Sequence, residues 1–122
     1  MRLLTTVPGI GYYSALLIKS EIGDVTRFPS DESLCAYAGL VPSVHASGSH
    51  VRHGPITREG SRWLRWIMVE CAHSHLRYET PITNFYHRVA ERRGKQIAIV
   101  ATARKLLSCA YSVLVNRRPY HD

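Results

Sequence analysis

Arg58, Arg62 and Arg65 stand at i, i+4 and i+7, a spacing that gathers side chains on one face of a helix. Three guanidinium groups aligned this way suit phosphate, whose oxygens match the planar fork of arginine. A second phosphate-binding pattern stands near the start of the chain, Val7-Pro8-Gly9-Ile10-Gly11. Two glycines allow backbone angles that other residues avoid, so successive N–H groups can point outward where the next helix begins. The positive pole of that helix then receives a phosphate oxygen with no help from a side chain, whatever the base sequence. Other reactive residues carry less. His45, His50 and His53 share one stretch, and His73 and His75 another. Zinc sites usually pair histidine with cysteine at fixed spacings, and no Cys-x-x-Cys pair exists. No metal site is therefore expected, and the first three histidines suit phosphate or solvent. Cys35, Cys71 and Cys109 are odd in number, widely spaced and set among apolar residues. They read as reduced, buried thiols, and none has a histidine placed to activate it. Trp63, Trp66, Tyr12, Tyr13 and Tyr37 have the rings to stack on bases, although packing is the commoner fate of aromatics.

The elements that must position these groups read as nearly all helical. After the Pro8–Gly11 turn, residues 12–22 have helical apolar spacing and stop at Gly23. Ser30 is a suitable N-cap, with Asp31 and Glu32 in the first turn of a short helix over 31–38. Residues 40–57 are rich in Gly, Pro, Ser and His without sustained period, which predicts a long irregular loop. Over 60–78, Leu64, Ile67, Met68, Cys71, His75 and Tyr78 form one stripe, with the arginines opposite. Pro81 opens a helix that Gly94 closes. The last helix, about 95–117, is apolar around most of its circumference, with a polar strip of Thr102, Lys105, Ser108, Ser112 and Asn116. Such a helix belongs at the centre of a bundle.

Charge agrees with the arginine pattern. The formal net charge is +7, yet residues 1–50 carry a net −1 and residues 51–122 a net +8. That asymmetry points to a polyanion meeting the second half. No signal peptide or membrane span is expected: the opening apolar patch breaks at Pro8, and Arg104 and Lys105 interrupt Ile97–Val115.

Several ordered blocks carry a resemblance. The Pro-Gly-Ile-Gly turn resembles the hairpin of helix-hairpin-helix DNA-binding modules. Tyr37-Ala38-Gly39-Leu40-Val41-Pro42, then Ser47-Gly48, then Ile56-Thr57-Arg58-x-Gly60-x-x-x-Leu64-Arg65 together resemble the C-terminal domain of one insertion-sequence transposase family. Gly94-Lys95, followed by Ala98, Ala101, Arg104, Lys105 and Leu106, is similar to its closing helix. Members pair this domain with an N-terminal RuvC-like DEDD nuclease domain; they include Piv-type DNA invertases and recombinases guided by a bridge RNA. The resemblance implies a composite active site. Acidic residues of the RuvC-like domain hold divalent metal, expected to be Mg2+, and a serine of this domain attacks the DNA phosphodiester to leave a phosphoserine link. By position that serine is Ser47, with Ser43 and Ser49 as rivals. The chemistry needs an accessible hydroxyl, a metal or base to activate it, and cations to stabilise the charge that builds on phosphorus.

The resulting expectation is an all-α domain over residues 1–122: a small helical bundle (60–117), a helix-hairpin-helix element (1–23) and the serine loop (40–57). Ser47 is the expected nucleophile. Gly9, Ile10, Gly11, Gly48, Arg52, Arg58, Arg62 and Arg65 are the expected DNA contacts. Expected partners are DNA, a guide RNA, the RuvC-like domain and further copies of the chain, in a bacterial cytoplasm and away from any membrane. Without DEDD carboxylates the chain alone is expected to be inactive, and Ser61 stands where the family often has Asn. The rival readings are a non-catalytic helix-hairpin-helix DNA-binding module and an interdomain interaction domain.

Overall fold

In the computed structural model, residues 2–40 and 61–121 are described; they form helices and turns, with no strand among them. The chain opens with a single 3-10 turn, Leu4–Thr6, followed by α1, Tyr12–Ile22. A second 3-10 turn, Val25–Arg27, starts where the Asp24 side chain accepts the Thr26 N–H. Helix α2, Asp31–Tyr37, begins at Ser30, whose hydroxyl accepts the Ser33 N–H while the Ser33 hydroxyl accepts the Ser30 N–H. This reciprocal cap satisfies two donors that a helix start leaves without partners. Helix α3 is Arg62–His75, capped by Ser61. Helix α4, Pro81–Arg93, has Thr80 as its cap and proline in its first turn. Helix α5 is Lys95–Asn116.

Helix α5 is the axis of the bundle, packing against α2, α3 and α4. Ala98, Ala103 and Ala110 are wholly buried along it, so neighbouring helices come close, while Leu106 and Leu107 fill the core. Its length and composition would let it cross a membrane, but burial of that alanine and leucine face is how a core helix is used. The expected polar strip is only partly wet. Thr102 is fully buried and returns its hydroxyl to Ala98 O at 2.8 Å. Lys105 lies over the Phe85 ring at 4.6 Å, and Ser108 meets the Cys35 sulfur.

The stripe expected on α3 is buried from Leu64 through His75. Tyr78 departs from it: the helix ends at His75 and Tyr78 is 51% exposed. His75 is what ends the pattern usefully. Fully buried, its Nδ1 lies 2.6 Å from Pro8 O and its Nε2 2.6 Å from Thr80 Oγ1. Because Pro8 O only accepts, Nδ1 carries a proton and donates it, while Nε2 pairs with the Thr80 hydroxyl. One side chain thus ties the Pro8–Gly11 turn to the end of α3 and the cap of α4. The helix-hairpin-helix element is not confirmed there: the described residues before the turn form the 3-10 turn Leu4–Thr6.

Candidate nucleic-acid interface

Three helix ends meet around Ser61. Its hydroxyl accepts the Leu64 N–H at 2.9 Å and donates to Glu21 Oε1 at the end of α1. Its own N–H donates to Tyr37 O, at the end of α2, at 2.8 Å. On the other side of the 41–60 interval, Leu40 is buried and its N–H donates to Cys35 O at 2.8 Å. The two ends of that interval are therefore fixed side by side on the bundle. Ser47, Gly48, Arg52 and Arg58, with Ser43 and Ser49, lie outside the described residues.

Arg62 and Arg65 occupy the first turn of α3, both exposed. They line a shallow groove with Tyr37, Trp63, Trp66 and Val100. The Arg27 guanidinium lies 5.3 Å from the Tyr37 ring and 4.7 Å from Phe28, adding a cation behind the groove. Sequence reasoning assigned the tryptophans no firm place. Their positions lie off the buried 64–67–68–71 stripe, so helical periodicity already carried the signal for their exposure.

The turn at Pro8–Gly11 divides its residues between two tasks. Gly9 has φ +98°, and a Cβ there would lie 2.8 Å from Cys71 O and 2.9 Å from the His75 N and Cα. Glycine lets the turn sit directly on the α3 backbone. Ile10 is buried, and its N–H donates to Val7 O at 3.0 Å. Gly11 faces out. It is the N-cap of α1, in extended backbone with no side-chain cap, and nothing lies within 4 Å of where its Cβ would stand. The N–H groups of the first helical turn have no intrahelical partner, and they emerge beside Tyr12 and Tyr13, each 69% exposed.

Helix α1 runs antiparallel to α3, since Gly9 meets Cys71 and His75 while Glu21 meets Ser61. The Gly11 end and the Arg62–Arg65 turn therefore lie at opposite ends of the pair. Eleven residues of α1 set them about 16 Å apart.

Burial pushes the thiols of Cys35, Cys71 and Cys109 upward, away from thiolate. That leaves them poor nucleophiles. Among the described residues no three His, Cys, Asp or Glu converge to hold a metal ion.

The transposase IS116/IS110/IS902 family model matches residues 1–87. The transposase for insertion sequence element IS1111A of Coxiella burnetii is 31% identical over 94% of this chain and 33% of its own length. The pilin gene-inverting protein of Moraxella bovis is 35% identical over 97% of this chain and 38% of its own. The chain thus spans about a third of the length of these curated relatives. No solved structure matches it. With the family model covering residues 1–87 of the 122, from the turn that seats α1 through α3 and into α4, the chain belongs to the IS116/IS110/IS902 family of transposases.

Proposed function

We propose that this chain is the part of a transposase or DNA invertase that brings Ser47 and a set of phosphate contacts to DNA strand cleavage and joining. The observation that carries this reading is the Ser61 N–H bond to Tyr37 O. Together with the Leu40 N–H bond to Cys35 O, it holds both ends of the 41–60 interval against the bundle, beside the exposed Arg62 and Arg65. In the proposed step Ser47 Oγ bonds to phosphorus, a sugar oxygen leaves with a proton, and the strand stays linked through a serine phosphodiester. Joining is the reverse attack, so the bond energy is kept. Guanidinium groups beside the interval oppose the charge that builds on the phosphoryl oxygens. The divalent metal belongs, in this reading, to a preceding RuvC-like domain. That domain, a guide RNA, further copies of the chain and a bacterial cytoplasmic setting complete the proposal. Loss of strand exchange in the full-length Ser47→Ala protein, with DNA binding retained, is the test; recombination at the wild-type rate overturns it.

The two outward features predict the form of DNA contact. Features about 16 Å apart reach phosphates roughly five base pairs apart along a duplex axis, at 3.4 Å per step. Each neutralised phosphate steepens the log–log salt dependence of affinity by about 0.9. Replacing Arg62 and Arg65 together by Ala is expected to flatten that slope by about two units while α3 survives, because alanine favours helix and the opposite face packs. Fluorescence anisotropy of labelled duplex across a salt series reads this directly. An unchanged slope in the folded variant makes these arginines solvated surface.

Gly11→Asp separates stability from binding. The extended Gly11 backbone suits a side-chain cap, so aspartate should hold or slightly raise the melting temperature. It also occupies the N–H groups of α1 and repels phosphate, so DNA affinity should fall. A variant that binds DNA as well as the wild type removes the α1 start from the interface.

A further inference from the structure

We propose that the first two turns of α3 form a stacking platform for unpaired bases, holding a single strand beside the anchored ends of the 41–60 interval. The proposal rests on the nucleic-acid reading above and names the form of nucleic acid that this surface takes. Trp63 and Trp66 are 64% and 47% exposed, a large apolar area to leave in water on a helix whose other face is fully packed. Their rings meet edge to face, 6.3 Å between centroids and 87° between planes. One indole of such a pair keeps both faces clear of its neighbour. Arg62 and Arg65 flank the pair from the same turns, at the positive end of a 14-residue helix. Among the described residues, the carboxylate that lines this groove, Glu21, is already engaged by the Ser61 hydroxyl. Glu70, one turn beyond Trp66 and exposed, gives the platform an acidic limit.

Aromatic faces interleaved with cations are how proteins hold single strands without reading sequence: bases stack and the backbone tracks the positive charge. A paired duplex offers no free base face to an indole, so the surface should prefer a single strand over a duplex. An apolar protein partner would cover the tryptophans equally well, but it would gain nothing from two guanidinium groups and a helix N-terminus beside them.

Trp63 and Trp66 are the chain's two tryptophans, so tryptophan emission, excited selectively over tyrosine, reports on this surface. Titration with a short oligothymidine should quench it, and a blunt duplex of equal length should quench it less. Labelled-strand anisotropy, read in parallel, measures binding independently of the tryptophans. Trp63→Ala and Trp66→Ala should each weaken oligothymidine binding by about 5- to 150-fold. Their salt slope should stay at the wild-type value, and Trp→Phe should restore much of the affinity. Binding by anisotropy without quenching, or alanine variants with wild-type affinity, overturns the platform while leaving phosphate contact intact. Absence of any nucleic-acid binding overturns both readings. Concentration-dependent self-association that buries the tryptophans makes the face a contact between copies and ends the proposal.

Discussion

Replacing Ser47 by alanine in the full-length protein is expected to abolish strand exchange. The hydroxyl oxygen is the atom that bonds to phosphorus in the proposed step, so nothing in the variant can form the covalent link. Loss of a nucleophile in serine hydrolases costs about as much as loss of the whole catalytic unit, on the order of a million-fold. A loss of that size is the expectation here. DNA affinity should change little, because a serine hydroxyl contributes little beside several charged phosphate contacts. A denaturing gel should show a protein–DNA adduct with the wild type and none with the variant. Ser43→Ala and Ser49→Ala serve as controls and should keep both adduct and recombination. An adduct that persists in Ser47→Ala and vanishes in Ser43→Ala or Ser49→Ala moves the chemistry to the neighbouring serine.

Gly9→Ala carries the largest expected effect on stability. A Cβ at this position would meet backbone atoms of Cys71 and His75 at 2.8–2.9 Å, in a conformation with φ +98°. Helix backbone cannot swing aside as a flexible side chain can. The turn must lift from α3 or the helix must shift, and either disturbs the bond from His75 Nδ1–H to Pro8 O. Strain at such a φ costs roughly 1–3 kcal/mol and overpacking roughly another 1–3 kcal/mol. Stabilities of small domains are only about 5–15 kcal/mol, so a drop of roughly 10–20 °C in melting temperature follows. Gly11→Ala is the matched control: its φ is −87° and the space around it is open. It should melt within a few degrees of the wild type. Equal melting of Gly9→Ala and wild type would show that the turn does not rest on α3.

The contrast between these two glycines shows where the sequence is legible and where it stops. Helix positions follow from local chemistry. Ser30 before two acids, Gly23 and Gly94 after apolar periods, and Pro81 after Thr80 all mark boundaries within a few residues of their causes. The buried face of α3 likewise follows from period 3.6. Gly9 is different, because what makes it necessary is the backbone near His75, far along the chain. No local pattern distinguishes a glycine that frees an N–H from one that lets two backbones touch. Tyr78 fell in register with the α3 stripe, but the helix had already ended in the turn set by Thr80 and Thr83. Of the expected site, Arg62 and Arg65 are placed together and the hairpin is placed apart from them. The exposed tryptophan pair was readable from register, but register cannot show that no helix among the described residues covers it.

The Ser61–Tyr37 bond has a further consequence, for how such a protein changes over time. Closing a chain segment between two fixed feet costs entropy that grows only logarithmically, about 0.6 kcal/mol for each doubling of length. The helices on either side are held by their own caps and by α5. Insertions, deletions and wholesale swaps in that interval therefore leave the scaffold nearly as stable as before. The interval is modular: a stretch of different length taken from a relative can be transplanted between Leu40 and Ser61, so the reactive part can diversify while the bundle beneath it stays the same.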